Sequence, residues 1–405
     1  MGLNATTAGD LLLRVYDKVE ITQLQNLEVP LLDKLPESTD HQLGGKGFYF
    51  GILPSGDEGY GFIQEEAPIP AAQNEQVLQA IVSPVIFVGA VRVTGLGRVI
   101  SMRDTHAFVN GLQLAYDKKL RRMTVYWEGG LLRDGTGRLA DQSGAPSGNV
   151  VTLKNGNVMW FRRNMLIDVR RSNATVFGQL QITQVDFPTN SITFTQPSGG
   201  TLDGDSFYLA GTQPASGAAV TREFTGLDAA MPATGTYLTQ ARSTTPEWAG
   251  NTIDAGGIDV TEDLLQQAEN RVLIVGGVPM SEVRDQCLIW HPNQRRKYFR
   301  LVLPQKQYVG MDMDAGYRKL TWNDADIYET HNCQEDRIWR ISPSLFQKFV
   351  TPEGDLQIDT NFGPAIKWAQ GYDAGISYYR FYGNYAYRKP NSGAVIINLG
   401  NVVNR

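Results

Sequence analysis

The sequence predicts an α+β fold: an extended N-terminal region, one long helix, a small antiparallel β unit and a mixed region after it. Three observations carry that prediction. Apolar residues recur at helical intervals over 105–128, and apolar and polar residues alternate over 179–195. Gly (42) and Pro (19) together make up about 15% of the 405 residues, against an ordinary value of roughly 12%, which favours turns and strands over a helical bundle. With 42% hydrophobic and 20% charged residues the chain is able to bury a core, and its length allows two or three domains.

Thr7 to Gln25 reads as an amphipathic helix, capped by Thr7, with Asp10 in its first turn and Leu11, Leu12, Val15, Tyr16 and Val19 on one face. Leu27 to Pro36 is apolar, broken by Pro30 and Pro36, and has little to pack against within itself. Residues 1–43 are therefore expected to form an arm lying on another domain or on a neighbouring subunit. Gly47 to Leu53 has strand character, Pro54-Ser55-Gly56-Asp57 is a turn signal, and Tyr60 to Gln64 is expected as the returning strand. A Pro- and Gln-rich stretch, Ala67 to Gln76, leads to the β-branched run Val77 to Thr94. Residues 44–94 thus read as an extended ribbon with little suited to a compact core. A two-stranded ribbon alone is marginal in water, so it needs a partner surface, and removing 44–82 is expected to leave the rest folded.

Val109, Leu112, Tyr116, Leu120, Met123 and Trp127 recur at intervals of 3, 4, 4, 3 and 4. That spacing predicts a helix from Thr105 to Glu128, a rod of about 36 Å at 1.5 Å per residue, ended by Gly129-Gly130. Lys118 and Arg122 fall on its opposite side, flanked by Asp117 and Arg121. A loop follows to Gly148, completing a segment 95–149. Residues 150–225 read as an antiparallel β unit: Leu180 and Ile182, then Ile192 and Phe194, alternate with polar neighbours across the turn Pro188-Thr189-Asn190, and Asp203-Gly204-Asp205 is a second turn. An Ala/Gly/Thr/Pro tract, Gly211 to Ala219, closes it. The region 226–375 is mixed. A helix capped by Thr261 is expected to about Arg271, then a buried strand Val272 to Val275, and a further helix from Pro292 to Val302. Residues 376–405 alternate aromatic and polar residues and read as strands.

The formal net charge of −5 shows no obvious basic face. A protein that grips DNA usually has one, so any nucleic acid near this chain is expected to be contained and not read. Cys287 and Cys333 are too few for a disulfide scaffold and are expected as reduced thiols. No stretch approaches the ~20 apolar residues of a membrane span, and residues 1–10 lack the order of a signal peptide. Cytosolic synthesis follows as an expectation. A start at Met1 adds the expectation that no N-terminal scaffolding segment is removed.

The order of these parts resembles the HK97-fold major capsid proteins of tailed double-stranded-DNA phages. An N-terminal arm and a glycine-rich ribbon, Gly44 to Val82, similar to that family's E-loop, precede the long spine helix. The stretch Tyr126-Trp127-Glu128-Gly129-Gly130-Leu131-Leu132-Arg133-Asp134-Gly135-Thr136-Gly137 resembles the family's way of closing that helix with an acidic residue, a Leu pair and a Gly-Asp-Gly-Thr-Gly-type loop. Arg133 stands where that loop often has Gly. Phe62 to Pro70 and Cys287-Leu288-Ile289-Trp290-His291-Pro292-Asn293 resemble, respectively, an E-loop stretch and the strand and turn before an axial-domain helix. The resemblance implies peripheral and axial domains, the latter over 226–375, with 376–405 returning to the peripheral domain and 150–225 as a small β insertion. It also implies self-assembly of copies, as pentamers and hexamers, into an icosahedral shell around the genome. Packaged double-stranded DNA would be contacted non-specifically, and portal, scaffold and decoration proteins would be further partners. The expected location is the virion, after synthesis in the host bacterial cytoplasm, with no membrane, cofactor or catalytic role. Leu12, Val15, Phe48, Tyr49, Phe50, Tyr60, Phe62, Glu65 and Glu66 are the candidate inter-subunit contacts.

Other chemistry is poorly supported by the residues. No G-x-x-x-x-G-K-S/T loop and no G-x-S-x-G elbow occurs, and Gly95-Leu96-Gly97 lacks the third glycine of a dinucleotide fingerprint. His331-Asn332-Cys333 with Cys287 and His291 is too loosely spaced for a zinc site, and Asp312-Met313-Asp314 lacks the later ligands of a calcium loop. Arg295-Arg296-Lys297, with Tyr298 and Arg300, reads first as a solvated helix face and second as a contact for phosphate or a neighbour's acids; Arg162-Arg163 and Arg170-Arg171 read alike, and no cross-link is assigned to Lys46. Two alternatives are weighed. A tail or decoration component would lack the long helix, and a β-rich hydrolase would need a nucleophile, base and oxyanion site in mutual reach.

Overall fold

In a computed structural model of the chain, the described residues are 31–38, 42–45, 47–55, 60–64, 68, 71, 76–95, 105–154, 157–172, 174–195, 201, 203–213, 222–279, 281, 286–307, 321–323, 325–352, 354–358, 366–368, 371 and 373–400. The expected helix Thr7 to Gln25 lies outside them, as do Lys46 and the Asp312 turn.

The long helix spans Thr105–Leu131, three residues beyond the expected end. Gly129 and Gly130 do not stop it, because they are there for room. A Cβ on Gly129 would lie 3.0 Å from Arg133 Nη1, and one on Gly130 would lie 3.1 Å from the Phe224 ring. The helix lies on strand Val85–Thr94 across Gly89, where a Cβ would fall 2.1 Å from Met123 Sδ. That strand runs antiparallel to Ala374–Tyr387 over ten register pairs, from Thr94↔Ala374 to Val85↔Gly383. The far edge of Ala374–Tyr387 pairs with Phe346–Val350, Gln357–Ile358 and Lys367–Trp368. Trp127 is the centre of the core between helix and sheet, with the rings of Phe381 at 4.4 Å, Phe224 at 5.2 Å and Tyr385 at 6.1 Å.

The β unit begins earlier than the sequence predicts, at Arg138, because the strand Arg138–Asp141 pairs with Ser206–Leu209. Its strand order is Arg138–Asp141, Ser206–Leu209, Leu166–Arg171, Ala174–Asp186, Ser191–Phe194, Val150–Thr152. The two ends meet. Gln142 bridges Leu153, Ser143 N donates to Thr152 O at 2.9 Å, and Lys154 N donates to Asp141 O at 2.9 Å. The sheet therefore closes into a six-stranded barrel with no long free edge. The alternating residues Leu180, Ile182, Ile192 and Phe194 point into its core with Val151, Ile167, Val169 and Phe207.

A third sheet mixes parallel and antiparallel pairs in the order Asn251–Asp254, Ala394–Ile397, Ile338–Ile341, Cys287–Trp290, Ala325–Glu329, Thr321–Trp322. The helix Glu262–Ile274 covers it with Leu264, Leu265, Ala268 and Val272, and Thr261 Oγ1 caps that helix by accepting from Leu264 N at 3.2 Å. Residues 272–274 thus continue the helix where a strand was expected, since Val272 falls on the same buried face. The Pro292 helix likewise runs on to Gln307. A buried ion pair, Arg340 to Glu269 at 3.2 Å, pins helix to sheet, with Gln286 Oε1 accepting from Arg340 Nε at 2.8 Å. The expected division at 375/376 is not a boundary between sheets. Phe346–Val350 joins the helix-bearing sheet, whereas Ala394–Ile397 joins the mixed one.

Candidate assembly surface

The ribbon is a hairpin of Gly47–Ser55 and Gln76–Val82, in register Phe48↔Val82, Phe50↔Ala80 and Ile52↔Leu78. Tyr60 to Gln64 is not the returning strand but open chain. The β-branched run beyond it breaks into two strands at Ser83-Pro84, where proline has no N–H to continue a ladder. The root of the ribbon is fixed to its own chain. Phe48, Phe50, Ala80 and Val82 are buried in the main core, and Phe349 lies 5.9 Å from both phenyl rings. Arg388 sits over the Phe50 ring at 5.3 Å, Ile81 N donates to Leu238 O at 3.3 Å and Gln240 Nε2 donates to Gln79 O at 2.7 Å.

The character of the ribbon changes beyond Ile52 and Leu78. Leu53 and Val77 are exposed, Tyr60 is 79% exposed, Phe62 is fully exposed and Ile63 is 53% exposed. Burying a large apolar side chain is worth about 1.5–3 kcal/mol, so this end of the hairpin presents unsatisfied apolar surface of the kind that marks an interaction site.

The arm root is also held by its own chain. Leu31 is buried in the main core and its N–H donates to Glu128 Oε1 at 3.3 Å. Lys348 N donates to Pro36 O and Ser38 N donates to Lys348 O, each at 2.9 Å, so Glu37 forms a parallel bridge on the edge strand. Glu128, fully buried near the end of the long helix, also accepts from Thr330 Oγ1 at 3.1 Å and Asn332 Nδ2 at 2.6 Å. Asn332 O in turn accepts from Trp160 Nε1 of the barrel at 2.9 Å. One carboxylate and its neighbours thus join arm root, helix, barrel and mixed sheet.

The loop after the helix has a physical reading. Asp134 Oδ1 accepts from Thr136 N at 2.9 Å, and Gly135 and Gly137 take φ of 83° and 80°, the left-handed region that favours glycine. Arg133 is buried, as is its partner Glu223, whose Oε2 accepts from Arg133 Nε at 3.2 Å. Tyr126 Oη donates to Glu223 Oε1 at 2.6 Å, and the guanidinium lies over the Tyr126 and Trp160 rings at 4.7 and 5.1 Å. Burial opposes the charge on Arg133, but Glu223 and its hydrogen bonds outweigh it and hold the group above its ordinary range. Burial, then the Glu223 charge, pushes the Tyr126 hydroxyl well up.

Of the nine candidate contact residues, Tyr60 and Phe62 lie on the exposed end, Tyr49 is half-buried, and Phe48 and Phe50 are corrected. The last two spend their surface inside their own chain, because the ribbon's inward face meets Phe349 and Trp248. Removing 44–82 would therefore open the main core, contrary to the sequence expectation. Leu12, Val15, Glu65 and Glu66 fall outside the described residues. Sequence reasoning missed the role of Glu128 as a hub and the Arg133–Glu223 and Arg340–Glu269 pairs. The one visible signal was a charged residue inside an apolar stretch at 125–133.

Arg295 pairs with Glu329 at 2.8 Å and Lys297 with Asp259 at 2.5 Å, so the Arg295-Arg296-Lys297 cluster is largely used within the chain. Cys287 and Cys333 are buried free thiols, and burial pushes both up. Among the described residues no three His, Cys, Asp or Glu side chains come together to hold a metal, and no helix is long and apolar enough to cross a membrane.

No family model matches the chain, and no curated protein does. Solved structures do. The chain is similar to one in the capsid asymmetric unit of cyanophage A-1(L), at 12% identity and TM-score 0.60, over 94% of this chain and 95% of that one. It is similar to a capsid chain of the native GTA particle, at 8% identity and TM-score 0.53, over 98% and 100%. A chain from Gordonia phage Cozz matches at 8% identity and TM-score 0.50, over 98% and 96%. The fold is α+β and of the HK97-like capsid type.

Proposed function

We propose that this chain is a major capsid protein, a structural and non-enzymatic subunit whose copies form pentamers and hexamers of an icosahedral shell around a phage genome. One observation carries the reading. On a fold shared almost end to end with capsid chains, the hairpin has its root buried in its own molecule and its apolar end unsatisfied. A second copy that covers Tyr60, Phe62 and Ile63 supplies what this copy lacks, and rings of head-to-tail contacts close only at fixed numbers. The long helix between ribbon and mixed sheet is the element that a tail or decoration component was expected to lack. Portal, scaffold and decoration proteins are further partners on this reading, and the virion is its location.

The test is to express the full chain and follow it by light scattering and negative-stain microscopy. Rings, sheets or shells are expected. A chain that stays monomeric under every condition, including raised salt, crowding and co-expression with its neighbouring genes, would overturn the reading. The paired variant Tyr60→Ser/Phe62→Ser should keep the wild-type circular dichroism spectrum and raise the concentration needed for assembly. With about 1.5–3 kcal/mol per ring, the two rings together give about 3 kcal/mol or more, and at tenfold per 1.4 kcal/mol the rise should be about a hundredfold or more.

A further inference from the structure

We propose that residues 236–241 form a strained clasp on the edge of the hairpin, which opens and closes to set the direction in which the hairpin's apolar end leaves the body. The inference deepens the capsid reading, and its bearing on assembly rests on that reading. The strand Gln76–Val82 ends its sheet, pairing with Gly47–Ser55 on one side. On its other side the short strands Thr236–Tyr237 and Gln240–Ala241 fold back on each other, and their turn reaches across. Leu238 O accepts from Ile81 N at 3.3 Å, and Gln240 Nε2 donates to Gln79 O at 2.7 Å. Two outward-facing backbone groups of the edge are thus satisfied as a further strand would satisfy them. Leu78 and Ile52 come next, and beyond them Leu53 and Val77 are exposed. Among the described residues the clasp is the last grip of the body on the hairpin.

The tip of the clasp is strained. Leu238 and Thr239 take φ of 48° and 71°, consecutive residues in the left-handed region. A two-residue hairpin turn calls for that conformation, and Asn-Gly is the pair that adopts it readily. Asn164, Asn190, Asn323 and Asn398 enter the same region with a side chain that tolerates it, whereas a leucine followed by a β-branched threonine does not. Thr239 Oγ1 donates to Leu238 O at 2.5 Å, which compensates in part. The stem leaves the strain nowhere to spread. Tyr387 N donates to the hydroxyl of the buried Tyr237 at 2.8 Å, and Trp248 Nε1 donates to its carbonyl at 3.1 Å. The Arg242 guanidinium lies over the Tyr237 ring at 5.3 Å and donates to Thr234 O at 3.0 Å and Ala230 O at 2.8 Å.

A rigid stem with a strained tip has two settings. In the closed one, two hydrogen bonds to the hairpin edge and the packing of Leu238 against the main core offset the strain. In the open one the tip relaxes, Ile81 N and Gln79 O turn to water, and the hairpin pivots where it leaves the core. Opposing terms of similar size let small changes at the tip move the balance. Strain of this kind persists where surrounding structure over-determines it, and it gathers at elements that switch. Phe48, Phe50, Ala80 and Val82 belong to the main core, which confines the motion to the exposed end.

The test is hydrogen exchange followed by mass spectrometry, on the full chain kept unassembled at low concentration and read on peptides covering 76–82. Thr239→Gly and Thr239→Asn suit the left-handed tip, and both leave Leu238 in place. Each should slow exchange at 76–82 about threefold or more. Gln240→Ala removes one of the two hydrogen bonds and should speed it about threefold. Ser172→Gly relieves a left-handed residue in the barrel, at φ 52°, and should leave 76–82 as in wild type. At assembling concentration, Thr239→Gly should lengthen the light-scattering half-time by about the factor seen in exchange. Unchanged exchange at 76–82 in the folded Thr239 variants overturns the proposal. Equal slowing in the barrel peptides overturns it too, because that is a gain in global stability and not a tighter clasp. So does an assembly half-time that a tightened clasp leaves unaltered. A wild type that never assembles, while exchange follows the clasp as expected, sinks the capsid reading and leaves the clasp standing.

Discussion

Replacing Arg133 with Met separates a buried charge from its partner without emptying the space. Side-chain exposure is 2% for Arg133 and 3% for Glu223, so neither charge is rescued by water. In the single variant, Glu223 keeps the Tyr126 hydroxyl at 2.6 Å and loses the fork of donors that holds it. Breaking one side of a buried pair costs about 3–5 kcal/mol, and losing the guanidinium from above two aromatic rings adds about 0.5–2 kcal/mol. Arg133→Met should therefore destabilise the chain by about 4 kcal/mol or more. Arg133→Met/Glu223→Leu removes both charges and leaves one buried hydroxyl without its acceptor, at about 1–3 kcal/mol. Adding Tyr126→Phe should recover most of that. The assay is urea unfolding followed by tryptophan fluorescence at one fixed protein concentration, because association would shift the midpoint by mass action. The reasoning fails if the single variant loses less than about 1 kcal/mol. It fails equally if the double variant loses as much as the two single changes added together.

Two further outcomes follow from the same structure. Gly226→Ala should lower stability by about 1–3 kcal/mol or more, since its Cβ would lie 2.3–2.6 Å from the carbonyl oxygens of Arg133, Leu131 and Gly130. Gly178→Ala, whose nearest neighbour would be 3.8 Å away, should change the melting temperature little in the same thermal-shift measurement. His331 is held below the usual histidine range by burial, then by the Arg162 charge. The unfolded chain takes up its proton first, near 6.5, so the His331 contribution is whole above that pH and declines as pH falls toward the folded-state value. His331→Gln should accordingly lose less thermal stability than wild type between pH 7 and 5, and an identical pH response in both would contradict this.

The sequence made legible what depends on local period. The helix from Thr105, the alternation of Leu180, Ile182, Ile192 and Phe194, and the Asp-Gly-Thr-Gly turn all lie where their spacing puts them. It misled where a tertiary neighbour decides. Gly129 and Gly130 read as a stop signal, yet Phe224 and Arg133 make them a close-packing surface inside the helix. Phe48 and Phe50 read as surface for another copy because nothing nearby in sequence covers them. Phe349, about three hundred residues later, does so. The Val272 to Val275 run is apolar enough for a strand, and only the packing of Leu265 and Ala268 one turn earlier shows which period it obeys. At the apolar end of the hairpin Tyr60 and Phe62, named from the sequence, stand exposed.

That barrel enters and leaves the chain at one point. Leu209 N donates to Gly137 O at 3.1 Å, so the residues at which the polypeptide departs and returns already touch. A module whose two ends meet can take an insertion in one of its turns without re-routing the host, as long as Trp160 keeps its bond to Asn332. Foreign peptides spliced into its turn at Pro188-Thr189-Asn190 would ride on a self-contained carrier, leaving the helix-bearing sheet and the mixed sheet to fold as before.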